Sequence, residues 1–185
     1  MQMHKPLLTV ITGRPASGKT TLAHKLSREI NCPVISRDEL KEGYINTIGD
    51  TYNKPGNEAD WHIYNTFFEV VGFLISKNIS FIAEAAFQHK SWEEKLLNFS
   101  HRATIKIIIC DAPLATTRQR FEQRLSDDSS REKFHNDRFV NEEGELNVLL
   151  TDEYKPVNIN LPTLKVDTKE GYDPGLKDII NFIGL

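Results

Sequence analysis

The 185-residue chain has little cysteine, little net charge and no long apolar run. Its two cysteines, Cys32 and Cys110, lie in or beside apolar stretches and are too few for a disulfide scaffold. They read as buried free thiols, and neither stands at metal-ligand spacing from other ligand residues. Lys plus Arg total 23 against 26 Asp plus Glu, a net charge of −3. That near balance speaks against a bulk nucleic-acid coat or a polybasic membrane anchor. No window reaches the roughly 18 apolar residues a membrane helix needs, so no membrane partner is expected. Residues 1–6 leave no room for a signal-type segment before the first strand, which points to the cytoplasm. With 39% hydrophobic and 26% charged residues, disorder and collagen-like repeats are excluded as well.

What remains is a chain of ordinary globular composition, of a length that suits one domain. Its apolar segments are short and alternate with helical patterns. Leu7-Leu8-Thr9-Val10-Ile11-Thr12 reads as a buried strand, and after a glycine turn Leu22, Leu26 and Ile30 share one helix face. Pro33–Ser36, Ile79–Ala83, Thr104–Cys110 and Leu164–Val166 supply four further strands. Between them, a helix is predicted from Trp61 to Lys77. Another opens at the capping box Ser91-x-x-Glu94, one starts at Pro113, and a last one takes Asp173 as N-cap and Pro174 as its first residue. Residues 43–57, rich in Gly, Asn and Pro, read as loop or broken helix, and 139–150 as another possible helix. Trp61, Trp92, Phe67 and Phe68 read as core. Strand–helix alternation of this kind gives a parallel sheet covered on both faces, a three-layer α/β/α arrangement that binds ligands beyond the carboxyl ends of its strands.

The first strand runs into Gly13-Arg14-Pro15-Ala16-Ser17-Gly18-Lys19-Thr20, which fits G-x-x-x-x-G-K-[ST]. Glycines let the backbone fold around phosphates with N–H groups pointing inward, and the following helix adds its positive end. Lys19 is expected to reach the β- and γ-phosphates, the Thr20 hydroxyl to ligate Mg²⁺, and Thr21 to lie near the α-phosphate. By composition the bare pattern occurs in about 1% of such chains, so the strand before it and the helix after it carry weight. ATP and Mg²⁺ are therefore the expected cofactors.

Three further clusters follow strand ends. Asp38, in Ser36-Arg37-Asp38-Glu39, stands where it can take a proton from a substrate hydroxyl, or else caps a helix. Arg37 beside it could hold an anionic substrate. Glu84 follows the third strand where a metal-associated acid commonly sits; it could serve the metal through water or bond the substrate, and is assigned to substrate. Arg120 and Arg124 share one face of the helix after strand four, and Arg131 follows in a polar stretch, an arrangement suited to a phosphate-clamping lid over about 120–140. Arg124 joins Lys19 and Asp38 as a catalytic candidate, Arg120 is assigned to the nucleotide, and Arg131 to substrate. Asp167-Thr168, after the fifth strand, is a candidate for a supporting role near the base.

The motifs I-T-G-R-P-A-S-G-K-T-T-L at 11–22, S-R-D-E-L at 36–40, F-I-A-E-A-A-F at 81–87, R-x-x-x-R at 120–124 and V-D-T at 166–168 together resemble the small P-loop kinases of the zeta-toxin and polynucleotide-kinase group. That resemblance, which runs over most of the chain, implies a P-loop NTPase fold: a five-stranded parallel sheet in order 2-3-1-4-5 with a helical lid. It implies transfer of the ATP γ-phosphoryl to a hydroxyl, with Asp38 as base and Arg37 near substrate. The D-A-T that such kinases carry after strand three reads Glu84-Ala85-Ala86 here, a departure from the polynucleotide branch. The leading expectation is a kinase for a small hydroxylated molecule such as a sugar, nucleoside, nucleotide or antibiotic. A 5′-hydroxyl polynucleotide kinase and a nucleotide-dependent regulatory ATPase or switch are the alternatives.

Overall fold

Residues 4–49, 58–127 and 154–184 are described by a computed structural model. Leu7–Gly13 forms β1, Val34–Ser36 β2, Phe81–Glu84 β3, Thr104–Asp111 β4 and Thr163–Asp167 β5. The helices are α1 (Lys19–Ile30), α2 (Arg37–Ile48), α3 (Glu58–Ser76), α4 (His89–Ser100), α5 (Leu114–Asp127) and α6 (Leu176–Ile183). All strands run parallel in one sheet of order β2-β3-β1-β4-β5, as expected for the fold. β1 is buried along its whole length, which explains its unbroken apolar run; a central parallel strand has no solvent face to leave polar.

Successive side chains of the strands feed two cores. Leu8, Val10, Ile107 and Ile109 pack with Phe67, Val71, Trp92 and Leu96 on one face. Leu7, Ile11, Ile82, Ile108 and Val166 pack with Leu22, Leu26 and Ile179 on the other. The period of two in the strands and the i, i+4 spacing in the helices thus meet in a three-layer sandwich. Register places Ile11 opposite both Glu84 and Ile108, so β1, β3 and β4 end together at the edge where the phosphate loop begins.

Several local expectations shift. Residues 43–48 continue α2 in spite of Gly43, because Ile45 buries against the body of the domain. α4 opens two residues before Ser91, with Gln88 at its N-cap, so the predicted capping box does not form there. α6 begins after Gly175, and Asp173–Pro174 is a cis peptide outside the helix. Trp92, Phe67 and Phe68 are core, but Trp61 is 66% exposed on α3. Arg131, most of the expected lid and the helix expected at 139–150 lie outside the described residues. Among the described residues no helix is long and apolar enough to cross a membrane.

Candidate active site

The phosphate loop is built on backbone conformations that ordinary residues avoid. Gly13, Ala16 and Gly18 all have positive φ, at 145°, 60° and 84°. At Gly13 a Cβ would lie 2.3 Å from the Cys110 carbonyl oxygen of β4 and 2.8 Å from Ser17 Oγ, so only glycine fits. The loop closes with the Ser17 N–H donating to the Arg14 carbonyl, and α1 starts with the Leu22 N–H donating to the Gly18 carbonyl. Pro15 and Ser17 complete the turn, and Thr21 follows on the exposed side of α1.

Glu84 is the hub of the site. It is 1% exposed, and its Oε2 accepts from Ser36 Oγ at 2.8 Å and from Thr20 Oγ1 at 3.3 Å. Its Oε1 lies 3.9 Å from Lys19 Nζ, which donates to the Arg14 carbonyl at 2.9 Å. Burial pushes the Glu84 carboxyl above its ordinary range, with Lys19 and the two hydroxyl donors pulling it back and the Asp38 charge adding to the rise. The third strand thus delivers its acid to the loop and to β2 at once. Glu84, assigned to substrate from the sequence, meets the loop residues Lys19 and Thr20 together with Ser36.

Asp38 sits in the first turn of α2 and accepts from Arg37 Nη1 at 3.2 Å. Ser36 holds the N-cap position of that helix. Arg37 also donates through Nη2 to Asp60 Oδ1 at 2.9 Å, and buried Lys41 reaches the same oxygen at 3.1 Å. Asp60 and Lys41, which carried no motif in the sequence, therefore tie α3 to the residues around Asp38.

On the other side of the loop, Thr168 donates through Oγ1 to the Ser17 carbonyl at 2.7 Å and the Asp111 carbonyl at 3.0 Å. Arg120 Nη2 donates to the Thr168 and Lys169 carbonyls at 2.8 and 2.7 Å. Arg120 thus steadies the segment after β5 that backs the phosphate loop. Arg124 follows one turn later on α5, half-buried. Tyr154 and Thr12 also belong to this region. Arg14 lies over the Tyr154 ring at 5.1 Å, and the Thr12 hydroxyl accepts from Trp92 Nε1 at 3.1 Å. Tyr154 had no sequence signal, and Thr12 none beyond its place beside the loop.

Two buried side-chain atoms among the described residues have no partner, Ser17 Oγ and Arg37 Nε. An orphan hydroxyl in the phosphate loop fits a loop shaped for a ligand with acceptor oxygens. Thr20 and Glu84 bring two hard oxygen donors together, the chemistry Mg²⁺ takes. The residues present therefore fit ATP and Mg²⁺.

A family model described as an AAA domain matches residues 8–143, from β1 past the end of α5. The chain belongs to that family. Solved structures share the fold of this AAA-domain protein over nearly its whole length. A candidate kinase from Chloroflexus aurantiacus is 21% identical, covers 98% of this chain and 95% of its own, and has a TM-score of 0.78. The Mycobacterium tuberculosis APS kinase, solved with AMPPNP and APS, is 16% identical over 98% of this chain and 99% of its own, at 0.65. A gluconokinase from Sinorhizobium meliloti is 13% identical over 97% and 93%, at 0.62. No curated protein matches the sequence.

Proposed function

We propose that this AAA-domain protein is a kinase of the zeta-toxin and polynucleotide-kinase-like group that moves the γ-phosphoryl of ATP to a hydroxyl of a small molecule. The observation that carries the reading is the convergence of Lys19, Thr20, Glu84, Ser36 and Asp38 at one sheet edge, with two acids, Glu84 and Asp38, on the β3–β2 side of the nucleotide-binding loop. A pure nucleotide switch has no use for the second acid. When bound, Mg·ATP supplies the transferable phosphoryl and a cation that neutralises its oxygens.

Lys19 would pair with the phosphates. Thr20 and Glu84 would hold the cation. Asp38, oriented by Arg37, would accept the acceptor hydroxyl's proton as its oxygen bonds to the γ-phosphorus and the bond from that phosphorus to the bridging oxygen breaks, so that ADP leaves. Arg124 would lend positive charge from α5, with Arg120 bracing the loop behind the nucleotide and Arg131 assigned to substrate. The similarity of the fold to that of an APS kinase and a gluconokinase supports a small acceptor. In this reading residues 1–185 form a single catalytic domain with its lid at about 120–140, working in the cytoplasm.

Asp38→Asn tests the assignment. The variant should still be stabilised by Mg·ATP in a melting curve, yet lose phosphoryl transfer by about a hundredfold or more. Transfer at the wild-type rate in Asp38→Asn would remove Asp38 as the base.

A further inference from the structure

A cavity of about 450 Å³ opens beside the proposed base, lined by Arg37, Asp60, Trp61, Tyr64, Phe87 and Lys90 among others. Its link to Asp38 runs through Arg37, whose guanidinium walls the cavity and donates to Asp38 Oδ1 at 3.2 Å. Three of its walls are aromatic. Tyr64 meets Trp61 edge-on at 5.5 Å and Phe87 at 5.3 Å, so the rings form one continuous surface.

Phe87 and Tyr64 are anchored in the core, whereas Trp61 projects with two-thirds of its surface exposed. A tryptophan left in water at a cavity mouth, backed by a rigid ring, is a platform for a flat partner. Among the cavity's polar groups, Asp60 takes both Arg37 and Lys41 on one oxygen, Arg37 Nε is without a partner, and Lys90 and Ser91 complete the lining. Its volume suits one small molecule, not a strand.

Resting on the kinase reading of the site, we propose that the acceptor is an alcohol bearing a single flat aromatic ring system, stacked on Trp61 with its hydroxyl directed to Asp38. Such an alcohol could be a nucleoside or an aryl alcohol, and the test separates them.

Trp61 gives a binding signal independent of catalysis, because the other tryptophan, Trp92, is fully buried. Uridine, 2-phenylethanol and the ring-free polyol sorbitol are titrated into the AMPPNP-bound protein while tryptophan emission is followed. Transfer from Mg·ATP is measured with the same three. A ring compound should quench emission in wild type but not in Trp61→Leu. Trp61→Leu should raise KM for it about tenfold with kcat little changed, and Trp61→Phe should restore most of the loss. Uridine active alone names the nucleoside, and 2-phenylethanol active alone names the aryl alcohol. Quenching by a ring compound without transfer supports the ligand class and overturns the kinase reading. Equal quenching or transfer by sorbitol, or no quenching by either ring compound, overturns the proposal even where kinase activity is found.

Discussion

At the scale of single residues, the site is held together by hydroxyls more than by its charges. Thr168 fixes the phosphate loop by sharing one proton donor between the Ser17 and Asp111 carbonyls, in a buried position. Thr168→Val keeps the shape and removes the hydroxyl donor from the Ser17 carbonyl, while the Asp111 carbonyl keeps the Thr168 N–H. It should cost about 1–3 kcal/mol in denaturant unfolding and weaken Mg·ATP stabilisation as well. Tyr154 offers a second test through pH. Its hydroxyl is pushed up to about 12, chiefly by burial. Where the folded pKa is raised, stability is full below the unfolded value and falls as pH climbs from there toward the folded one. The melting temperature of wild type should thus drop between about pH 9 and 11, and Tyr154→Phe should drop less over the same range. Cys110, also raised to about 12 by burial, adds to the same alkaline loss.

At the scale of elements, the sequence was most informative where one force dominates. Strands buried on both faces wrote themselves as apolar runs, and the glycine spacing of 13–20 required one backbone path, now seen in the positive φ angles. Boundaries were read less well where local preference and packing disagree. Gly43 suggested a break, yet α2 runs through it because Ile45 and Lys41 find buried partners. The outcome can be checked directly. A Cβ at Gly43 would meet nothing within 4 Å, so Gly43→Ala should stabilise the protein by about 0.5–1 kcal/mol in urea unfolding. Similarly, Ser91 and Glu94 have capping-box spacing, but α4 starts earlier, where the His89 N–H donates to the Lys155 carbonyl of a distant segment. No local pattern encodes a bond across that separation.

At the scale of the whole molecule, the candidate site is a meeting of strand ends. The sequence identified Lys19, Thr20, Asp38 and Glu84 separately, each just after an apolar run. Sheet order alone brings them together: with β3 between β2 and β1, Glu84 falls between Ser36 and the phosphate loop. The same order explains what was illegible. Asp60, Lys41, Tyr154 and Thr12 earn their places through contacts that span elements, and Trp61 looked like core because an amphipathic helix does not announce which of its aromatic residues faces a cavity. Arg120, assigned to the nucleotide, donates through Nη2 to the Thr168 and Lys169 carbonyls, a partnership that no local pattern encodes.

The central claim is that the nucleotide's terminal phosphoryl goes to an alcohol. The direct measurement follows the label from γ-labelled ATP in the presence of Mg²⁺ and a panel of hydroxyl compounds and 5′-hydroxyl oligonucleotides. The account predicts label on a small-molecule alcohol, with little released as inorganic phosphate, and loss of both products in Lys19→Ala. Label appearing only as inorganic phosphate, unchanged by every acceptor, would contradict it and make the protein a nucleotide hydrolase or switch.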